Sequence, residues 1–359
     1  MRIHLVGGLL LALASAIALP AYAKEKATGI VTGAIDGFIR PGYAAFHQAT
    51  GELVEAGQAL CAAPSQQGLD AVRQSFGETV DAWSRIEIIR FGPVSEDNRL
   101  ERVLFWPDRK STGLKQVQAA LVAEDATATD ADSLAKKSVA MQGLGALEFV
   151  LFGAGSEGLA EAGEDYRCAF GAAIAGNLDA IADQVETEWA ELGGFARQWA
   201  NPGPGDPLYR DGTEAVTELM DVFVTGFELV RDVRLGGFLG ETPEKDKPRQ
   251  ALFWRSGKTI EAIAQNLAGM AALFEASQLG EAVRDDARWI GNSARFEFAN
   301  AASTATATNG PVADVLANPE KREKLLYLGL VTSSLSEIFG TSLSGELGLT
   351  AGFSSLDGD

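Results

Sequence analysis

The stretch that most limits how this chain can fold is Asn201-Pro202-Gly203-Pro204-Gly205-Asp206-Pro207. Three prolines in seven residues cannot continue a helix, because each lacks an amide hydrogen and its ring clashes with the preceding turn. On both sides apolar residues recur at helical intervals. Before the break, the spacing predicts a long helix from about Pro41, carrying Tyr43, Phe46, Leu53 and Leu60. A second runs over 67–90 with Leu69, Val72, Phe76, Val80 and Trp83 on one face, and stops at Phe91-Gly92-Pro93. A short helix over 114–121 and longer ones over 131–152 and 166–199 follow. After the break the pattern resumes over 216–233, 256–274, 281–302 and 321–339. No segment alternates with β-branched enrichment, so the expected fold is all-α. At 359 residues the chain exceeds one usual core, and the proline stretch divides it into 24–200 and 208–359.

The two parts echo each other. Phe91-Gly92, Phe105-Trp106 and Gly113 have counterparts in Leu239-Gly240, Phe253-Trp254 and Gly257, with the same spacing from glycine pair to Phe-Trp. Gly143-Leu144-Gly145-Ala146-Leu147-Glu148-Phe149 is echoed by the segment from Gly291 to Phe298, with one residue inserted. The order is kept through both parts, which predicts two related helical bundles from an internal duplication. Duplicated halves often hold a site at their joint.

Glu148 is the one charge in an apolar, glycine-spotted run from Ala140 to Gly155. A carboxylate cannot stay unpaired in an apolar interior without a cost of several kcal/mol, so Glu148 needs a partner. Gly143 and Gly145 each cost a helix about 1 kcal/mol relative to alanine, and make sense where another backbone or a ligand comes close. On a helix Gly145 lies one turn before Glu148, on its face. Two readings stay open. One is a packed core helix whose glutamate pairs with Arg90 or Arg255; the other is a ligand site centred on Glu148, with Gly143, Gly145, Asp108, Arg90, Arg255 and Ser256 around it.

The formal net charge is −19 and the excess acid is scattered, which disfavours nucleic acid or an anionic membrane surface as partner. Arg2, the apolar run from Leu5 to Leu19, Pro20 and Ala21-Tyr22-Ala23 read as a signal peptide over 1–23, cleaved before Lys24. The run is short for a membrane anchor, so the expectation is a soluble exported protein in a bacterial periplasm, without a span after cleavage. Cys61 and Cys168 are the only cysteines. An oxidising compartment favours joining them; the alternative is two buried, inert thiols.

Histidine is scarce. His4 falls in the signal segment, leaving His47, so a site with two or three histidine ligands cannot form in the mature chain. His47 reads as a surface or interhelical residue. There is no Gly-x-Ser-x-Gly turn and no phosphate-cradling glycine loop. Carboxylate and guanidinium chemistry remains, concentrated at Glu87, Asp108, Glu148, Arg90, Arg109 and Arg255. Ser256, expected to open a helix, supplies a capping hydroxyl.

Arg90-Phe91-Gly92-Pro93, Phe105-Trp106-Pro107-Asp108, the glycine-glutamate segment, Phe253-Trp254-Arg255-Ser256 and the tail from Leu349 to Asp359 together resemble the imelysin family of bacterial envelope proteins. The resemblance runs from about Gly33 to the last residue. It implies two helical bundles in one chain, and a family named for a peptidase and linked to iron uptake. The family hallmark, Gly-x-His-x-x-Glu, presents histidine and glutamate one turn apart as metal ligands. Here it reads Gly143-Leu144-Gly145-Ala146-Leu147-Glu148, with Gly145 at the histidine position. Glu148 alone makes a weak site for a metal ion such as iron. The resemblance implies a periplasmic binding or accessory protein of iron or haem acquisition, and the departure at Gly145 one without peptidase activity. Its partners would be a small ligand or metal, or another envelope or haem/iron-uptake protein. The alternatives are a metallopeptidase using Glu148 and an envelope scaffold that binds other proteins.

Overall fold

The computed structural model describes residues 26–349, so the signal segment, its cleavage site and the tail over 350–359 lie outside the described residues. Among the described residues every regular element is helical and no strand occurs. The first helix starts well before Pro41. Residues 26–34 lead through a π-turn, Ile35–Ile39, into α1 (Arg40–Ala62). Val31, Ala34, Ile35 and Phe38 are buried, so the apolar stripe extends the helix upstream. The wider π-turn lets it pass the missing amide hydrogen of Pro41.

Ser65 caps α2 (Gln66–Ile86) by accepting the Gly68 amide, and α2 ends four residues short of Arg90. Asp108 caps α3 (Thr112–Ala123). The expected helix over 131–152 is broken: Ala131–Leu134 and a 3-10 turn, Val139–Met141, precede α4 (Leu144–Phe152). The break falls at Gly143, where a Cβ would stand 2.3 Å from the Val103 carbonyl oxygen. The crossing of two backbones there leaves no room for a side chain or a straight helix. The helix expected over 166–199 likewise divides into α5 (Asp165–Ala190) and a short piece, Phe195–Ala200.

Beyond the prolines come α6 (Gly212–Glu228), α7 (Thr259–Ser277), α8 (Trp289–Ala307) and α9 (Pro319–Glu337). α6 and α9 each run on through a π-turn, Leu229–Leu235 and Ile338–Leu343. Helix α7 starts at Thr259 rather than Ser256, and α8 only after two 3-10 turns.

In the N-terminal half α1 packs against α2 and α5, and the Cys61–Cys168 disulfide ties the end of α1 to the start of α5. In the C-terminal half α8 packs against α7 and α9 around Phe223, Phe227, Phe274, Phe298 and Phe339. The halves meet where α2 lies along α7. A Cβ on Gly269 of α7 would fall 2.0 Å from the Arg85 carbonyl oxygen, so only glycine permits this approach. Lys258 reaches Asp81, and the Asn266 amide donates to the Ser84 carbonyl across the same seam. Buried apolar side chains of both halves form one continuous cluster, each large one contributing roughly 1.5–3 kcal/mol.

Candidate functional site

Helix α4 is apolar on every side, and Leu144, Leu147, Val150 and Leu151 are all buried. A helix without a polar face belongs in a core, and this one brings Glu148 with it at 4% exposure. The carboxylate is met by a turn from the other half of the chain. Its Oε1 accepts hydrogen bonds from the Arg255 amide at 3.1 Å, the Ser256 amide at 3.0 Å and the Ser256 hydroxyl at 2.9 Å. Two successive amides can aim at one oxygen because the turn is tightly wound. Phe253 sits at φ 57°, a left-handed conformation that costs a bulky residue energy, and Gly257 at φ 74°. The Phe253 ring is fully buried against Phe76 of α2, which holds that conformation in place.

Burial pushes the Glu148 carboxyl above the usual glutamate range. The Ser256 amide and hydroxyl, the Arg255 charge and the Arg255 amide pull it back without cancelling the effect. Among the described residues the Arg255 guanidinium makes no ion pair; it lies 4.4 Å from the Trp254 ring centre and 5.4 Å from that of Phe149. Burial lowers its pKa, with Glu148 opposing.

Beside Glu148 opens a cavity of about 530 Å³. Both Phe-Trp pairs line it, Phe105-Trp106 from one half and Phe253-Trp254 from the other. Gly145, Glu148, Asp108 and Arg255 share its wall. A Cβ on Gly145 would meet nothing within 4 Å, so the helix is bare towards open space one turn before the carboxylate. Asp108 is already engaged, its two oxygens accepting the Thr112 and Gly113 amides at 2.7 and 2.8 Å. Ser256 stands behind Glu148 as a donor, and Gly143 lies under the crossing backbone.

Arg90, grouped with these residues from the sequence, is elsewhere. It is under the influence of Glu87, Arg234, Glu101 and Tyr43. The arginine–carboxylate pair expected at Glu148 is also elsewhere, as Glu87–Arg234, at 2.7 Å with both side chains almost fully buried. Asn266 donates to the same carboxylate at 2.7 Å. At Glu148 the Arg255-Ser256 turn supplies two amides and a hydroxyl in place of a contacting guanidinium. His47 bridges α1 to Glu186 and Asp179 of α5.

Sequence reasoning did not single out Lys247 and Arg249, which line the cavity with Arg109 and Arg255. Their only signal is their position just before the second Phe-Trp. Among the described residues no three His, Cys, Asp or Glu side chains converge as a metal ligand set. With Gly145 at the histidine position and Glu148 Oε1 held by three donors, the residues present do not fit a metal centre.

A family model described as imelysin (peptidase M75) matches residues 39–336. Iron-regulated protein A of Synechococcus elongatus is 23% identical over 319 residues, covering 86% of this chain and 83% of the relative. The crystal structure of an imelysin-like protein from Psychrobacter arcticum 273-4 superposes with a TM-score of 0.72 at 18% identity, covering 92% of this chain and 98% of the other. That of a candidate iron-regulated protein A precursor from Parabacteroides distasonis ATCC 8503 gives 0.73 at 12% identity, with 90% and 95% coverage. Both share the fold.

Proposed function

We propose that this chain, which belongs to the imelysin family, is an exported binding or accessory protein of bacterial iron acquisition and not a peptidase. The observation that carries the reading is the cavity wall at Gly145 and Glu148. A hydrolytic metal centre needs about three protein ligands and an open position for water. Here the three carboxylates on the wall, Asp108, Asp232 and Glu148, do not converge as a ligand set, and Glu148 has one oxygen already accepting three hydrogen bonds. Where the family motif has an imidazole, this wall is bare. What remains is a cavity of the size that small ligands occupy, lined by aromatic and charged side chains from both halves.

The iron connection is supported by the name of the Synechococcus relative, iron-regulated protein A. The periplasm is the compartment we propose, on the strength of the signal-like segment over 1–23. The Cys61–Cys168 disulfide suits an oxidising compartment. Among the described residues no helix is long and apolar enough to cross a membrane.

Two measurements test this reading. A strain lacking the gene should grow more slowly than its parent when iron is limiting, and equally well when iron is plentiful. The purified mature protein should leave a peptide library intact. Normal growth of the deletion strain under iron limitation would remove the iron role. Peptide turnover that survives repurification and disappears in Glu148→Gln would make the chain a peptidase.

A further inference from the structure

Arg109, Lys247, Arg249 and Arg255 converge on the cavity of a chain whose formal net charge is −19. Among the described residues none of the four is in an ion pair, although acidic residues outnumber basic ones, 49 to 30, over the chain. The carboxylates on the same wall are occupied. Asp108 caps α3, Asp232 is bound by Arg231 at 2.8 and 2.6 Å, and Glu148 is held by the Arg255-Ser256 turn. Arg109, Lys247 and Arg249 are therefore left without an ion-pair partner among the described residues, and Arg255 has only the non-contacting charge of Glu148 beside it.

Two of them are also placed on an aromatic surface. Arg255 lies 4.4 Å and Arg249 5.9 Å from the centre of the Trp254 ring. Trp254 and Trp106 are both half-buried on the wall, so flat apolar surface stands next to positive charge. A bare ferric or ferrous ion would be repelled by four cations and would find no ligand set. A molecule with negative edges and an aromatic face would meet guanidinium and ammonium donors at its edges and indole surface on its face.

We propose that this cavity binds a compact aromatic anion and, building on the iron-acquisition reading above, that iron reaches the protein as an anionic aromatic chelate. The chelator then supplies the metal's ligands, and the protein recognises only the outer surface of the complex. This accounts together for the unpaired cations, the aromatic walls and the missing imidazole.

The test uses the mature protein at low salt, followed by tryptophan fluorescence and equilibrium dialysis. Three probes are compared: 2,3-dihydroxybenzoate, its neutral amide 2,3-dihydroxybenzamide, and the ferric complex of the acid. The acid and its ferric complex should bind, and the amide should bind at least about tenfold more weakly. Added salt should weaken the acid and leave the amide unchanged. Lys247→Gln/Arg249→Gln, which alters two exposed side chains, should lose about tenfold in affinity for the acid at unchanged circular dichroism. Arg255→Gln should lose at least as much. Equal affinity for acid and amide, no binding of either acid or ferric complex, or full affinity in both variants would each overturn the proposal. Failure here with a growth defect under iron limitation would remove the ligand class and leave the iron role standing. Binding without a growth defect would do the reverse.

Discussion

Glu148 is a buried carboxylate held by dipoles instead of a contacting cation, and this sets what a substitution there does. Glutamine keeps an oxygen for the Arg255 and Ser256 donors and removes the charge that burial penalises. Glu148→Gln should therefore change stability at pH 7 by less than about 1 kcal/mol, unlike the about 3–5 kcal/mol of a broken buried ion pair. The pH dependence is the sharper check. The folded-state pKa is raised, so the stabilisation linked to Glu148 is fully present below the ordinary glutamate pKa and is lost as pH rises through the folded value. The parent should gain stability relative to Glu148→Gln as pH falls from 7 towards the ordinary glutamate range. Urea unfolding of both proteins across that window measures the difference. The opposite slope would mean a carboxylate stabilised in its ionised form, and the hydrogen-bonding account above would be wrong.

Between elements, the seam of α2 and α7 carries the chain's most deeply buried ion pair among the described residues. Glu87 follows the last turn of α2, Arg234 lies in the π-turn after α6, and Asn266 of α7 completes the contact. An ion pair removed from water is expensive to break because the surviving charge is stranded. Arg234→Met should cost about 3–5 kcal/mol in urea unfolding, and adding Glu87→Gln should recover a large part of that loss. Arg90 moderates the effect, since its charge also acts on Glu87. A single variant as stable as the parent would show that this seam does not depend on the pair.

For the molecule as a whole, the disulfide spans 107 residues and joins α1 to α5 with its Cα atoms 5.6 Å apart. A cross-link over so long a loop restricts the unfolded chain more than it alters the folded one. Cys61→Ala/Cys168→Ala should lower stability by about 2–4 kcal/mol without changing the helical circular dichroism. Reduction of the parent should reproduce the loss. An unchanged midpoint in both would mean that the cross-link does not restrict the unfolded chain beyond what its residual structure already does.

The all-helical class was legible in the sequence because it is written locally. Leu69, Val72, Phe76, Val80 and Trp83 fall on one face through spacings of three and four residues, and all five are buried on α2. Glu148 was conspicuous for the same reason, one charge within an apolar helix, and the repeated Phe-Trp marked both segments that line the cavity. Partners were legible only in part: Arg255 and Ser256 stood among the residues grouped with Glu148, but not as backbone and hydroxyl donors. The donors to Glu148 lie 107 and 108 residues away, and Arg234 lies 147 from Glu87. Arg90 and Arg234 offer the same guanidinium, and only the packing of the π-turn after α6 against α7 brings Arg234 to Glu87. Helix breaks at Gly143 and after Ala190 were hidden likewise, since close backbone approach at 143 leaves no trace in hydrophobic period. Lys247 and Arg249 look like ordinary solvated charges until the fold sets both on the cavity wall and Arg249 beside Trp254. Helical period is fixed by neighbours within a turn, whereas burial is non-directional and leaves the choice of polar partner to the tertiary structure.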